Sequence, residues 1–103
     1  MSELTVYDPV SEYVKAGAEL LDEKKPDWYT RVDLDTLDIG LASECVLGQV
    51  FGYYTHGLNA LDITGDDSLY GFSRHVGHPS SAWDELNECW AKEIVHRLMK
   101  ESA

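Results

Sequence analysis

The sequence lacks a cysteine framework, a secretion signal and a run of apolar residues long enough to cross a membrane. Its two cysteines, Cys45 and Cys89, form no CxxC pair, which fits a reducing compartment better than a disulfide scaffold. The opening residues contain neither a basic n-region nor an apolar h-region, so no secretory signal is predicted. The uncharged run of residues 45–61 is too short and too rich in glycine and polar side chains to cross a bilayer. We therefore expect a soluble cytoplasmic protein.

Basic residues are scarce, and they are missing altogether from the middle of the chain. The 103 residues include eight Lys and Arg against nineteen Asp and Glu, for a net charge of −11. Residues 32–73 hold seven acids and no base. This charge disfavours direct binding to nucleic-acid phosphates, which is driven by Lys and Arg. It leaves open the binding of a basic partner, mimicry of a nucleic acid, and the ordinary negative charge of a soluble protein.

The uncharged run of residues 45–61 predicts the helix around which the rest of the fold is organised. At helical spacing one half of this run is apolar, and the other half carries small or neutral side chains rather than charges. A surface helix would expose charges on one side, so this pattern indicates a central helix packed on more than one side. We expect it to run from about Leu41 to Leu61, with Asp38 or Ser43 as its N-cap.

Two further helices and one short helix complete a predicted all-α bundle, in a single domain covering residues 1–103. The first helix should begin at Asp8-Pro9, continue to about Glu23 and bury Val10, Val14, Gly17, Ala18 and Leu21. The last should begin at Ser80 or Ser81 and bury Trp83, Leu86, Trp90, Ile94 and Leu98. A short helical piece is expected at Ser68–Phe72. Residues 27–40 should form an extended connection, with one short strand as an option, pinned by Trp28, Leu34, Leu37 and Ile39.

Six aspartates form the candidate partner-binding site. They flank the two ends of the predicted central helix, and no Lys or Arg lies between them in sequence to neutralise them. A helix of this length would hold the two groups at most about 30 Å apart. Exposed carboxylates of this kind would steer a basic protein toward the surface. The six are Asp33, Asp35 and Asp38 before the helix, and Asp62, Asp66 and Asp67 after it.

Gly48 and Gly52 lie one turn apart on the predicted central helix. Each glycine inside a helix costs about 1 kcal/mol relative to alanine, so a compensating contact is expected. Small residues at this spacing let a second backbone approach closely. The contact is either with the first or last helix of the same chain or with a second protein, which includes a homodimer.

Histidine and cysteine residues offer the alternative of a small metal-binding domain or enzyme. His75 and His78 could bind zinc with two ligands from Cys45, His56, Cys89 and His96. Cys45 and His56 lie about 16 Å apart along a continuous helix, so they cannot share one ion. Glu93 and His96 match half of a di-iron motif, without a second half. No nucleophile or phosphate-binding motif is present. We therefore expect no enzymatic activity, no metal and no cofactor.

Several segments resemble one family of small proteins. They are Leu20-Leu21-Asp22-Glu23-Lys24, Trp28, Val32-Asp33-Leu34-Asp35-Thr36-Leu37-Asp38, Cys45-Val46-Leu47-Gly48-Gln49 and Trp90-Ala91-Lys92-Glu93-Ile94. The pattern is similar to conserved proteins of unknown function encoded by actinobacteriophages and related prophages, over about residues 16–94. Members often carry a second cysteine where this chain has Ala42, which weakens any metal or redox role. The resemblance implies a phage-encoded protein in a bacterial cytoplasm, and no particular activity.

These observations favour a non-enzymatic interaction protein that binds a host or phage protein, with a basic partner as the preferred class. Neither direct binding to nucleic acid nor binding to a membrane is expected. The alternatives are a His/Cys metal-binding domain or enzyme, and an acidic mimic of nucleic acid. No motif in this chain identifies the partner.

Overall fold

The computed structural model describes residues 10–74 and 79–102, and these residues confirm the all-α class. Four α-helices are present: α1 (Val10–Lys24), α2 (Val46–Phe51), α3 (Tyr54–Ala60) and α4 (Ala82–Ser102). Two 3-10 helices accompany them, one at Trp28–Arg31 and the other at Asp67–Tyr70. The predicted helix start at Asp8-Pro9 lies outside the described residues, as do His75 and His78. None of the described helices is long and apolar enough to cross a membrane.

The core is built where α1 and α4 pack against each other, as their helical periodicity predicts. The five predicted residues of α1 are all buried, and Leu86, Trp90 and Ile94 are buried on α4. Trp90 lies at the centre, stacked on Phe72 at 5.3 Å and edge-on to Trp28 at 5.7 Å between ring centroids. Its indole Nε1–H donates a hydrogen bond to the Gly71 carbonyl oxygen at 2.7 Å. Through Trp90, the core therefore joins three separate parts of the chain: α4, the 3-10 helix at Trp28 and the segment Gly71-Phe72.

The prediction of one continuous helix from Leu41 to Leu61 is wrong. Residues 41–45 form turns, and α2 ends at Gly52, whose φ of 96° is a conformation that glycine adopts readily. Tyr53 is extended, with φ −160° and ψ 153°, and α3 begins after it. The two short helices then fold back against each other, with Gly57 so close that a Cβ atom there would lie 2.6 Å from the Leu47 Cβ atom. One long central helix is thus replaced by a helical hairpin.

This break also changes which side chains of the uncharged run are buried. Val46, Leu47 and Gly48 of α2 are buried, as predicted for a packed helix. Around α3, in contrast, Tyr53 is 49% exposed, and Thr55, His56 and Asn59 are exposed as well. The neutral side of the run therefore faces solvent around α3 but is buried at Cys45 and Gly48, and the prediction of packing on more than one side holds for α2 alone.

The connection between α1 and α2 contains no strand in the described residues and is held by side-chain amides. The Asp33 backbone N–H donates to Gln49 Oε1 at 2.6 Å, and Gln49 Nε2 donates to the Glu44 carbonyl at 2.9 Å. The Ile39 backbone N–H donates to Asn87 Oδ1 at 2.8 Å. Ile39 is buried, but Leu34 is 38% exposed and does not pin the segment as predicted. These bonds fix the connection against α2 and α4.

Candidate functional site

A small cleft lined by aromatic side chains lies where four parts of the chain meet. We call it the aromatic cleft, and its volume is about 200 Å³. The connection before α2, the start of α3, the segment after the second 3-10 helix and the start of α4 each contribute to it. Its lining residues are Ile39, Gly40, Ala42, Tyr54, Phe72, Ser73 and Trp83. Small-molecule sites usually occupy about 300–1,000 Å³, so this cleft has the size for one protruding side chain.

Asp38 does not line the aromatic cleft itself but is hydrogen-bonded to Gly40, which does, and we call residues bonded to the lining in this way the rim of the cleft. The Gly40 backbone N–H donates to Asp38 Oδ1 at 3.0 Å, which turns the chain sharply at this point. A Cβ atom on Gly40 would lie 3.3 Å from Asp38 Oδ1 and 3.9 Å from the Trp83 ring. The carboxylate and the indole therefore flank the same glycine. Both side chains are half-buried.

Asp67 belongs to the rim in the same sense. Ser73, one of the lining residues, donates its hydroxyl to Asp67 Oδ1 at 3.1 Å. Asp67 is the first residue of the second 3-10 helix, and Asp66 caps that helix by accepting from the Ser68 backbone N–H at 3.0 Å. The turn predicted after the central helix thus places a half-buried carboxylate beside the cleft. The base nearest to this point in sequence is Arg74, which follows Ser73.

Of the six predicted partner-binding aspartates, two belong to the rim of the aromatic cleft, Asp38 from the first group and Asp67 from the second. The continuous helix that was predicted to separate the two groups is absent, because α2 and α3 take its place. The physical reason is the chain reversal at Gly52. The other four lie outside the cleft and are exposed: Asp33, Asp35, Asp62 and Asp66.

The glycine pair on which the homodimer prediction depended does not form one helix face. Gly48 is buried in α2, and a Cβ atom there would collide with the Ala42 carbonyl and the Ser43 backbone. Gly52 lies outside the helix, where its positive φ ends α2. Gly48 thus contacts the turn before its own helix, rather than the first or last helix as the intramolecular alternative had it. A small-residue surface for a second chain is not formed by these two residues.

A larger groove lies between the C-terminal ends of α1 and α4, and its arginine is paired with carboxylates of the same chain. Arg97 donates to both carboxylate oxygens of Asp22, at 2.9 and 2.7 Å, and to Glu93 Oε1 at 2.7 Å. Its guanidinium lies 5.5 Å from the Trp28 ring centroid, and Trp28 Nε1–H donates to Asp22 at 2.9 Å. This groove of about 530 Å³ therefore contains a network that ties α1 to α4.

The pKa shifts of the side chains in this groove fit a structural role. Burial alone would raise the pKa of Asp22, but hydrogen bonds from Arg97 and Trp28 outweigh it, so the pKa lies below its ordinary value. The hydrogen bond with Asp22 raises the pKa of Arg97 against the opposing effect of burial. The hydrogen bond to Glu101 raises the pKa of the exposed Tyr29 hydroxyl. All three shifts favour the form that is already dominant at neutral pH, which is the opposite of what acid–base catalysis requires.

The two cysteines have thiols in surroundings that favour the protonated form. Cys45 is buried and serves as the N-cap of α2, where its Sγ accepts from the Gly48 backbone N–H at 3.3 Å, in place of the predicted Asp38 or Ser43. Burial raises the pKa of Cys45, and it does the same for Cys89. A nucleophilic or metal-binding cysteine needs a thiolate. Within residues 10–74 and 79–102, no three His, Cys, Asp or Glu side chains are grouped as metal ligands would be.

The aromatic side chains of the cleft were missed by sequence reasoning as a functional group. Trp83 was predicted to face the core, and it is half-buried at the edge of the core instead. Tyr54 falls within the predicted central helix, and Phe72 at the end of the predicted short helix. The signal that was available is Gly52 itself, since a glycine inside a helical pattern weakens the prediction of a helix and can mark its C-terminal end.

Comparisons of the chain with models of protein families, with curated proteins and with solved structures find no match.

Proposed function

We propose that this protein is a non-enzymatic interaction protein that binds a basic segment of a host or phage protein. The observation that carries the proposal is the aromatic cleft with Asp38 and Asp67 on its rim. An aromatic cleft offers an anchor site for a partner side chain, and the carboxylates beside it offer charge complementarity to a basic partner.

The charge distribution supports a basic partner. The ion pairs found among the described residues join Arg31 to Asp27, and Arg97 to Asp22 and Glu93. These acids all lie outside residues 32–73, so the described part of the chain supplies no ion pair to Asp38 or Asp67. Half-buried carboxylates are screened less by salt than exposed ones, and they attract a cation more strongly. A partner that carries Lys or Arg would supply the missing charge.

An enzymatic role is less well supported by the same residues. The charged groove between α1 and α4 has its arginine matched to two carboxylates, and burial raises the pKa of both thiols. Catalytic groups usually have pKa values shifted toward the pH at which they act. The phage origin and the bacterial cytoplasm, which the resemblance implies, complete the proposal: the partner is a protein of the host cell or of the phage itself.

The proposal is tested by capturing partners of the tagged protein from an actinobacterial lysate and measuring the association rate of the purified pair against salt. A basic partner should associate more slowly as the salt concentration rises. A variant with Asp33, Asp35, Asp62 and Asp67 replaced by Asn should bind more weakly with nearly unchanged melting temperature. The first three charges are exposed and contribute little to stability, and asparagine at position 67 keeps an oxygen for the hydrogen bond from Ser73.

The competing surface for partner binding is the outward side of α4, where Val95 is 40% and Met99 is 68% exposed. Replacement of both by Ser provides the matched comparison, because these side chains are also exposed and should not affect folding. The proposal is wrong if the Ser variant loses the partner while the four-Asn variant binds at the wild-type rate. Replacement of Gly48 by Leu is unsuitable here, because it would disrupt α2.

A further inference from the structure

The aromatic cleft has the composition of a receptor for a single cationic side chain. Tyr54, Phe72 and Trp83 supply aromatic walls, and the cleft has room for one side chain rather than for a ligand of drug size. A cation is attracted to the faces of aromatic rings, and most strongly to that of tryptophan. The carboxylates of Asp38 and Asp67 lie at the rim, where a cation on an apolar stem would end.

Each rim carboxylate keeps one oxygen available. Asp38 and Asp67 both use Oδ1 to accept the bonds from Gly40 and Ser73. Their Oδ2 atoms accept no hydrogen bond from the described residues. The two internal bonds hold the carboxylates in place before any ligand arrives, so little side-chain freedom is lost on binding. A donor with several N–H groups in one plane could reach such an oxygen while its flat face lies against a ring.

We propose that the aromatic cleft binds one arginine side chain of the basic partner, an inference that rests on the proposed function. Arginine fits better than lysine because its guanidinium is planar, stacks on aromatic faces and is more weakly hydrated than an ammonium group. Asp38 and Asp67 accept its N–H groups, and Trp83 and Tyr54 contact its plane and its stem. The remaining exposed aspartates act at a distance, by attracting the segment that carries this arginine.

The test uses the full chain and four probe tripeptides that differ in one side chain. The probes are acetyl-Gly-X-Gly-amide with X as arginine, lysine, citrulline or leucine. Citrulline has nearly the shape of arginine without its charge, so it separates charge from shape. Binding is followed by NMR through the Trp83 indole N–H signal, assigned with Trp83→Phe. We expect the arginine probe to bind in the millimolar range and the citrulline probe at least about tenfold more weakly.

Two aspartate variants separate the cleft from the general acidic field. Asp38→Asn and Asp35→Asn remove the same charge, but Asp35 is exposed, and in the described part of the chain its carboxylate bonds to no residue that lines the cleft. Asp38→Asn should lower the affinity for the arginine probe about tenfold, as expected for the loss of one charge-assisted contact. Asp35→Asn should change this affinity by less than about twofold. Asparagine keeps an oxygen for the Gly40 N–H, so the turn at Asp38 is retained.

Several results would overturn this inference. They are equal binding of the citrulline and arginine probes, tighter binding of the leucine or lysine probe, or no shift of the Trp83 signal at about 10 mM arginine probe. Binding that is found only after Arg74→Gln would mean that the chain's own arginine fills the cleft. Equal effects of Asp35→Asn and Asp38→Asn would reject the cleft but leave the proposed function standing. The proposed function fails separately, if the captured partner associates at a rate independent of salt.

Discussion

Replacement of Trp90 is the most direct test of how this fold is held together. Trp90 is fully buried, stacks on Phe72, meets Trp28 edge-on and donates its indole N–H to the Gly71 carbonyl. Its ring also lies next to α1, since a Cβ atom on Gly17 would be 3.1 Å from it. Truncation of a buried tryptophan to alanine typically costs about 3–5 kcal/mol. A domain of this size has about 5–15 kcal/mol in total, so Trp90→Ala should remove a large part of the stability.

Trp90→Phe divides this cost into its parts. Phenylalanine keeps an aromatic ring beside Phe72 but leaves the Gly71 carbonyl without its donor, which should cost about 1–3 kcal/mol. Met99→Ala provides the matched control on the same helix, because Met99 is exposed, and it should change stability by less than about 0.5 kcal/mol. The order of stability should therefore be Met99→Ala, then Trp90→Phe, then Trp90→Ala.

The measurement is unfolding in urea followed by far-UV circular dichroism, which does not depend on the tryptophan that is removed. For a small protein the free energy falls by about 1–3 kcal/mol per molar urea, so Trp90→Ala should move the midpoint by at least about 1 M. A midpoint within about 0.3 M of wild type would refute the reasoning, because it would mean that α4 does not dock through Trp90.

Three smaller perturbations test other contacts of the fold. Folding lowers the pKa of Asp22 from 3.8, so the stability that its contact with Arg97 adds is present above that pH and is lost as the pH falls through the folded value. In Asp22→Asn, the urea midpoint should therefore decrease less between neutral and low pH than it does in the wild type. Gly17→Ala should lower stability by about 1–3 kcal/mol in a thermal melt, because its Cβ would collide with the Tyr70 carbonyl; an unchanged melt would contradict this packing. Gly52→Ala should lower it by about 1–2 kcal/mol through backbone strain alone, since nothing lies within 4 Å of the added carbon; an equal urea midpoint would argue against the positive φ.

The two long helices were predictable because their information is local. Each repeats apolar residues at helical spacing, and that pattern identified the buried face of α1 and the anchors Trp90 and Ile94 on α4. The path of the connection after α1 was harder to predict, because its position depends on single amide side chains from helices that are distant in sequence. Asn87, for example, accepts a bond from Ile39 that no spacing rule contains.

The candidate site could not be derived from periodicity, because it exists only through the break in the predicted central helix. Gly48 and Gly52 look alike in sequence, yet one is buried inside α2 and the other ends it with a positive φ. Which glycine breaks a helix is decided by the packing of the resulting segments, here Leu47 against Gly57. Once the chain reverses, Tyr54 reaches Trp83 at the cleft, a juxtaposition across 29 positions that no local pattern contains.

The pairing of α1 with α4 has a consequence during synthesis, because a ribosome releases the chain from its N-terminus. At about 5–20 residues per second, the 57 residues between Lys24 and Ala82 take about 3–12 s to be made. Throughout that interval Leu21 and Trp28 lack Trp90 and Ile94 as neighbours, and the helix Asp67–Tyr70, which contacts α1, is made only late in it. The nascent chain thus exposes the apolar face of α1 for several seconds. During that time a holding chaperone would find a binding site that is buried in the folded protein.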